Sequence, residues 1–514
     1  MAGEIRAVGV VGLGTMGAGI VEVFARNGLP VTALEIDDAA LERGRATLRS
    51  STDRAVSRGK LTAEQAEEIL SRVSFSTSYP DLAGADLVVE AAPERMGIKR
   101  QIFTELDRVC PAHTILATNT SSLSVTEIGH HTARPDRVLG MHFFNPAPIM
   151  KLVEVISTVS TDPDVTATVT GLARSLGKTP VSVTDRAGFV ANYLLLGYLN
   201  QAAWLLQDRY VERAELDEAM RLGAGLPMGP LTLMDLIGID TIVEILDTIH
   251  AYGGGSRRHA TAPLLRQLTA AGMLGRKTGE GFYRYQKPGS GKLAEGEAAP
   301  AATAGAAPRA VAVFGDPAAV EAFEQAGIRV AVLSEDDPSV PSDVDLVVCG
   351  ERTPVEVFGA LGKSAPAGAV LAVDSSTASV VERGMASGVP ERVVGFHLVG
   401  QFVEIVRSVR TADDAVAAGR AAAAALGRTA AVVGERAGLV VDALLVPYLN
   451  DAVGMLAAGY ADADGIDAAM TLGCGYPEGP IALADRLGPA RVLHTAAALH
   501  RESGEPGVAP APLL

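Results

Sequence analysis

The 514-residue chain contains only three cysteines, Cys110, Cys349 and Cys474, far apart and odd in number. That pattern offers neither a disulfide framework nor a cysteine-rich metal site, and no metal is expected. Positive charge is also scarce: 44 Lys and Arg stand against 60 Asp and Glu, a formal net charge of −16. A general nucleic-acid or membrane-surface binder is excluded on that balance, although a local basic patch can still serve an anionic ligand. No apolar run is long enough to span a membrane. The opening residues MAGEIRAVGVVGLG enter a strand-like run at once, without a basic leader or cleavage pattern. These absences predict a cytoplasmic protein. Its length exceeds what one hydrophobic core organises, so several domains are expected.

The two halves repeat one another. RVLGMH (Arg137–His142) returns as RVVGFH (Arg392–His397), and LATNTSSLSV (Leu116–Val125) as LAVDSSTASV (Leu371–Val380), both 255 residues later. KLVEVI (Lys151–Ile156) returns as QFVEIV (Gln401–Val406), now 250 residues later. DRAGFVANYLLLGYLN (Asp185–Asn200) and LGAGLPMGPLTLMD (Leu222–Asp235) keep that spacing, as ERAGLVVDALLVPYLN (Glu435–Asn450) and LGCGYPEGPIALAD (Leu472–Asp485). Ordered matches of this kind indicate a duplication with a five-residue loss after His397. Within each half, strand-like runs alternate with helical segments and then give way to helical spacing alone. The expected architecture is α/β: a parallel Rossmann-type domain at 1–185 and an all-helical domain at 186–285. An Ala/Gly/Pro-rich linker at 286–308 follows, then a degenerate Rossmann-like copy at 309–435 and a second helical domain at 436–514.

VGVVGLGTMGAGI (Val8–Ile20) reads as strand, glycine loop, helix. Gly12 suits the tight turn, Gly14 lets backbone approach a pyrophosphate, and Gly17 lets the helix pack on the strand. Thr15 and Met16 open the helix. The next strand ends at Glu35, 21 residues after Gly14, where a carboxylate accepts from ribose hydroxyls and repels a 2′-phosphate. The combination predicts NAD.

Three further strand ends carry polar groups. Ser121 follows TILAT, His142 ends VLGM, and Glu154 lies inside KLVEVI. Oxidising an alcohol needs a base for the hydroxyl proton, which a histidine oriented by a carboxylate provides. Ser121 and Asn192 are suited to hydrogen-bond the developing carbonyl. Taken singly, each has a plain structural reading: a strand-end histidine, a turn serine, a helix-surface asparagine.

The motifs VGLGTMG, ATNTSSLSVTEI, GMHFFNPAPIMKLVEVI, DRAGFVANYLL, GAGLPMGP and GRKTGEGFY, in order from Val8 to Tyr285, closely resemble the 3-hydroxyacyl-CoA dehydrogenase family, including its short-chain 3-hydroxybutyryl-CoA members. The resemblance implies His142 as base and Glu154 as its orienting partner, with Ser121 and Asn192 near the substrate oxygen. It adds Glu94, Lys99, Ser121 and Asn145 as cofactor neighbours. Ala187 and Tyr193 depart from the family pattern, which has Pro and Arg there.

Between Asp38 and Arg72 a helical hairpin interrupts the strand–helix rhythm, with Arg43, Arg45, Arg49, Arg54, Arg58 and Lys60 clustered on it. Such a patch suits the phosphates of CoA, and a solvated helix face balanced by acids gives the same pattern. In the family this hairpin contacts CoA, which points to Ser51, Arg54 and Arg58. The second copy lacks these residues. Its loop reads Gly315-Asp316-Pro317, Asp442 stands where Asn192 does, and His397 and Glu404 persist, expected as a buried hydrogen-bonded pair. The expected partners are an acyl-CoA substrate, the chain's own helical domains as an intrachain pseudo-dimer, and a further homo-oligomer. A dehydrogenase of free hydroxy acids and a non-catalytic NAD-binding protein are the competing readings.

Overall fold

The computed structural model describes residues 4–297 and 306–514. The first sheet has eight strands in the order β3-β2-β1-β4-β5-β6-β7-β8. These are β1 (Val8–Val11), β2 (Val31–Leu34), β3 (Val73–Ser76), β4 (Leu87–Glu90), β5 (Ile115–Thr118), β6 (Val138–Phe143), β7 (Leu152–Ser157) and β8 (Thr179–Thr184). All neighbours run parallel except β6 and β7. Every residue of β1, β4 and β5 is buried. A parallel sheet covered on both faces requires continuous apolar runs of this kind. The helix Thr15–Arg26 presents Ile20, Val21 and Phe24 to that core. Each such side chain contributes about 1.5–3 kcal/mol on burial.

The predicted hairpin is present as helices Asp38–Ser57 and Ala63–Ser71. Its second helix starts at a capping box, with Gln65 N donating to Thr62 Oγ1 at 3.2 Å and Thr62 N to Gln65 Oε1 at 2.9 Å. Arg49 and Glu67 link the two helices at 3.2 Å.

The second sheet comprises β9 (Ala310–Phe314), β10 (Arg329–Leu333), β11 (Leu346–Cys349), β12 (Val370–Val373), β13 (Val393–Val399), β14 (Phe402–Arg407) and β15 (Thr429–Gly434). Its order, β10-β9-β11-β12-β13-β14-β15, repeats the first without an edge strand equivalent to β3. The loop between β6 and β7, Phe144 to Lys151, shrinks between β13 and β14 to Gly400 and Gln401.

The chain forms two compact units that do not coincide with its two halves. One holds the residues up to Leu195 with Asp247–Gly255 and Gly454–Leu483; the other holds Leu196–Leu246, Ser256–Val453 and Ala484–Leu514. Each sheet is therefore backed by a helical segment of the other copy. In the first unit the helix Ala463–Gly473 lies on β7 and β8, and Arg186 stacks 4.8 Å from Tyr193 and 5.5 Å from Tyr460. In the second unit the helices Arg213–Glu218 and Ala219–Gly223 lie on β15 and β14. There Arg436 stacks 4.9 Å from Tyr210, whose hydroxyl donates to Gly434 O at 2.8 Å. The helical stretches of the two copies also meet inside the second unit: Arg258 pairs with Asp451 at 2.8 Å, and the Tyr198 and Tyr448 rings lie 6.4 Å apart.

The segment after Tyr285 folds back instead of starting the linker there. Tyr285 bridges Leu293, and Glu297 pairs with Arg284 and Arg213, each at 2.8 Å. Residues 298–305 of the expected linker lie outside the described residues. No helix among the described residues is long and apolar enough to cross a membrane.

Candidate active site

Strand order reverses at β1, whose neighbours are β2 and β4, and the crevice beyond the strands' carboxyl ends is where open α/β sheets take ligands. β1 delivers Gly12, with φ +90°. A Cβ on Gly17 would lie 1.7 Å from Gly12 O, so the helix can start this close to the strand only without a side chain. Around Gly14 there is open space, and Gly14 and Thr15 are exposed while Met16 is half-buried. The helix Thr15–Arg26 has no side-chain cap and no acid in its first turn. Its unpaired N–H groups thus remain for an anion. Glu35 accepts from Leu13 N at 2.6 Å and from Ile36 N at 3.0 Å, which holds its carboxylate beside the loop.

β4 ends in Glu90, fully buried. It accepts from Lys99 Nζ at 2.9 Å on both oxygens, from Thr118 Oγ1 at 2.7 Å and from Ala92 N at 2.7 Å. Lys99 is thus consumed below the crevice, where it also reaches Glu94 at 3.3 Å. Glu94 in turn gathers the turn after β5, accepting from Thr120 Oγ1 at 2.5 Å, Ser121 N at 2.9 Å and Ser122 N at 3.1 Å. Burial alone would raise the Glu94 carboxyl, but the Lys99 charge and these donors outweigh it and hold it below the usual range.

That turn aims Ser121 at the next strand. Ser121 Oγ lies 3.1 Å from His142 Nε2, and His142 Nδ1 lies 2.7 Å from Glu154 Oε2. The last distance follows from strand pairing: His142 and Glu154 are register partners across the antiparallel β6–β7 pair. Glu154 is fully buried, and its other oxygen accepts from Val190 N and Ala191 N, each at 3.0 Å. Asn192 follows directly, half-buried in the first turn of the helix Ala191–Gln207. Phe144 and Phe189 flank the imidazole, their ring centroids 4.7 and 5.6 Å from it. Asn145 is exposed on the loop after Phe144. Lys178 holds that loop from below, donating to Ala147 O at 2.6 Å and Met150 O at 2.7 Å. Burial, with the Arg26 charge, brings the Lys178 ammonium down to about 8.

Profiles of two domain families match this chain, each twice. That of the 3-hydroxyacyl-CoA dehydrogenase NAD-binding domain covers residues 7–186 and 344–436, and that of the C-terminal domain covers 188–285 and 438–514. The chain belongs to the 3-hydroxyacyl-CoA dehydrogenase family. It is 34% identical over 511 residues to the 3-hydroxyadipyl-CoA dehydrogenase of Escherichia coli K12, covering 99% of this chain and 97% of that one. It is 46% identical over 278 residues to the 3-hydroxybutyryl-CoA dehydrogenase of Clostridioides difficile, covering 54% of this chain and 99% of the relative. A solved structure described as 3-hydroxybutyryl-CoA dehydrogenase from Escherichia coli K12 superposes with a TM-score of 0.81 at 31% identity, covering 99% of this chain and 97% of that one.

As a member of the 3-hydroxyacyl-CoA dehydrogenase family the protein is an NAD-dependent oxidoreductase. The residues present fit that cofactor: an uncapped helix start, open space at Gly14 and a carboxylate at the end of β2. The sequence reading missed several neighbours. Ile36, 86% exposed, offers an apolar surface next to the Glu35 carboxylate. Glu90 passed as one more strand residue, although LVVE ahead of Lys99 carried the signal. Asn119, whose Oδ1 accepts Phe143 N at 2.8 Å, ties β5 to the residue after the histidine. The CoA candidates lie on the helical hairpin. Arg54 and Arg58 are exposed and Ser51 is half-buried on the first hairpin helix. Arg54 donates to Ser50 Oγ at 2.7 Å, beside a shallow groove formed by Ala46, Arg49, Asp53 and Ser57.

The second copy departs where the first is most specific. Asp316 caps the helix Pro317–Gln325, accepting from Ala319 N at 3.0 Å, so the helix start is already satisfied by a carboxylate. The expected His397–Glu404 hydrogen bond is absent although the two remain register partners. His397 Nδ1 instead lies 2.7 Å from Asp374 Oδ1. Asp374 occupies the place of Asn119, and an ionised carboxylate is a stronger acceptor for an imidazole N–H than an amide oxygen. Glu404 keeps the backbone bonds, from Val440 N at 2.8 Å and Val441 N at 3.1 Å, while its other oxygen and His397 Nε2 are buried without a partner.

Proposed function

We propose that the first copy interconverts (S)-3-hydroxyacyl-CoA, 3-hydroxybutyryl-CoA in particular, with the 3-ketoacyl-CoA, using His142 as base and Glu154 as its orienting partner. The observation that carries this reading is the chain of contacts Ser121 Oγ to His142 Nε2 at 3.1 Å and His142 Nδ1 to Glu154 at 2.7 Å, in the same unit as the glycine loop. NAD, when bound, supplies the hydride acceptor. A carboxylate at Nδ1 puts that nitrogen's proton in place and leaves the Nε2 lone pair free. Nε2 takes the proton of the C3 hydroxyl as C3 gives up its hydride, and the imidazolium later releases that proton to solvent. Ser121 and Asn192 hold the C3 oxygen, and the aromatic rings of Phe144 and Phe189 limit water around the imidazole.

The hairpin carrying Ser51, Arg54 and Arg58 holds the CoA phosphates in this reading. The second copy binds no dinucleotide and performs no chemistry, because Asp316 fills its helix start and Asp442 replaces the asparagine. A second reading of the acyl group has its own support: the relative spanning both copies bears the name 3-hydroxyadipyl-CoA dehydrogenase. Turnover of 3-ketoacyl-CoAs of increasing length, with and without a terminal carboxylate, with NADH decides between them. A preference for acetoacetyl-CoA supports the short-chain reading, a preference for the carboxylated six-carbon substrate supports the second, and turnover of free 3-keto acids alone sinks both.

A further inference from the structure

We propose that the end of the second copy's helix Ala463–Gly473 is a positioning element of the first copy's active site, acting through contact of Gly473 with both stems of the loop from Phe144 to Lys151. This rests on the assignment of His142 as base. A Cβ built on Gly473 would lie 2.7 Å from Leu152 Cδ2, 3.2 Å from Phe144 Cε1 and 3.5 Å from Phe144 Cδ1. Phe144 is the first residue after β6 and packs against the His142 ring, the centroids 4.7 Å apart and the planes tilted by 53°. Leu152 is fully buried, opens β7 and stands two residues before Glu154. The glycine thus touches the supports of both members of the catalytic pair, and the loop between them carries Asn145.

The surroundings of Gly473 extend the argument. Gly465, two turns earlier, would bring a Cβ within 3.1 Å of Val181 Cγ1 on β8, so the helix rides close along this edge of the sheet. Cys474 follows directly, and burial together with the Glu154 charge pushes its thiol up to about 12. Tyr460, on the same segment, is buried beside Arg186. Close packing of backbone against core leaves no slack, so a side chain at 473 must move Leu152, Phe144 or both. A shift of about 1 Å at a reacting group costs on the order of a hundredfold in rate.

The duplication supplies a matched control. Gly223, 250 residues earlier, packs at the corresponding place in the second copy: its Cβ would lie 2.8 Å from Val441 Cγ2 at the start of the helix Val441–Ala457, 3.4 Å from Val399 Cγ1 at the end of β13 and 3.6 Å from Phe402 Cβ at the start of β14. A substitution there strains the fold comparably without touching His142.

The experiment uses the full-length protein and compares Gly473→Ala, Gly473→Val, Gly223→Val, and Gly473→Ala combined with Leu152→Val, which removes the clashing Cδ2. His142→Ala serves as reference. Steady-state kinetics with acetoacetyl-CoA and NADH and melting temperatures are measured on each. The expected result is a graded fall in kcat across Gly473→Ala and Gly473→Val, about tenfold or more for the valine. KM for both substrates should stay within about twofold, and kcat should recover in the Leu152→Val combination. Gly223→Val should keep wild-type kcat at a lowered melting temperature. If Gly473→Val does not fold, the alanine variant and its rescue carry the test. Wild-type kcat in every soluble Gly473 variant, or an equal loss in Gly223→Val, overturns the proposal. Wild-type turnover by His142→Ala would instead remove the catalytic assignment beneath it.

Discussion

Replacing Glu154 by glutamine isolates orientation from packing, because the side chain keeps its shape in a fully buried site. One carboxylate oxygen accepts from Val190 N and Ala191 N at 3.0 Å each, and the other faces His142 Nδ1 at 2.7 Å. In the amide, the oxygen must keep the two backbone donors, since losing both would strand buried N–H groups at about 1–3 kcal/mol each. The NH2 group then points at His142 Nδ1. Two donors cannot share that contact, so Nδ1 becomes an acceptor and the ring proton moves to Nε2, the nitrogen facing Ser121 and substrate. The base lone pair is then on the wrong side. We expect kcat for 3-hydroxybutyryl-CoA oxidation to fall by about two to four orders of magnitude, or about 3–5 kcal/mol of barrier. NAD affinity, measured by calorimetry, should stay near the wild-type value because no fingerprint residue is touched. Glu404→Gln, the matching change in the second copy, should leave kcat intact. A Glu154→Gln enzyme within threefold of wild type would refute the tautomer argument.

Calorimetry should give one NAD per chain, and two equivalent sites would contradict the reading of Asp316 as an occupied helix cap; NADP should be poorer by about two orders of magnitude in kcat/KM, given Glu35. Charge reversal at Arg54 and Arg58 together should raise KM for acyl-CoA with kcat preserved, and an unchanged KM would detach the hairpin from CoA. The His397–Asp374 pair predicts a pH dependence of stability. Burial would lower the imidazole, but the Asp374 carboxylate overcomes it and raises His397 from 6.5 to about 10. The folded state then binds more protons than the unfolded state between these values. This stabilisation is complete below pH 6.5 and is lost as pH rises toward 10, with an upper bound on the order of 5 kcal/mol. Wild type should therefore melt progressively lower across that window, and Asp374→Asn should flatten the dependence; an identical slope in the variant would rule the pair out as its source.

Much of this was legible because local physics and function coincide. The glycine loop needs Gly12 and Gly17 for backbone reasons alone, so the motif announces its geometry. The His142–Glu154 contact follows once KLVEVI is recognised as a strand, although antiparallel pairing was needed to put the two face to face. Glu90 and Asn119 escaped because their partners, Thr118 and Phe143, become neighbours only across strands. The second copy's histidine misled for a similar reason. His397 and Glu404 kept both spacing and register, and a third residue on another strand, Asp374, decided where the imidazole bonds. No reading along one strand pair can see a competitor on the next.

Pairing of the two helical domains was expected, but the placement of a helix of each copy on the other copy's sheet was not, and it bears on what the second copy is for. Its own glycine loop, hairpin and long β13–β14 loop are gone or shortened, although His397 and Glu404 persist. The stretch LGCGYPEGP, by contrast, still matches LGAGLPMGP of the first copy closely. This stretch belongs to the segment Gly454–Leu483, which packs in the first unit. Retention in the second copy thus includes residues that lie against the first sheet, beside its own buried His397 and Glu404. A domain whose helix braces Phe144 and Leu152 must hold its backbone at Gly473 while its own crevice is free to change.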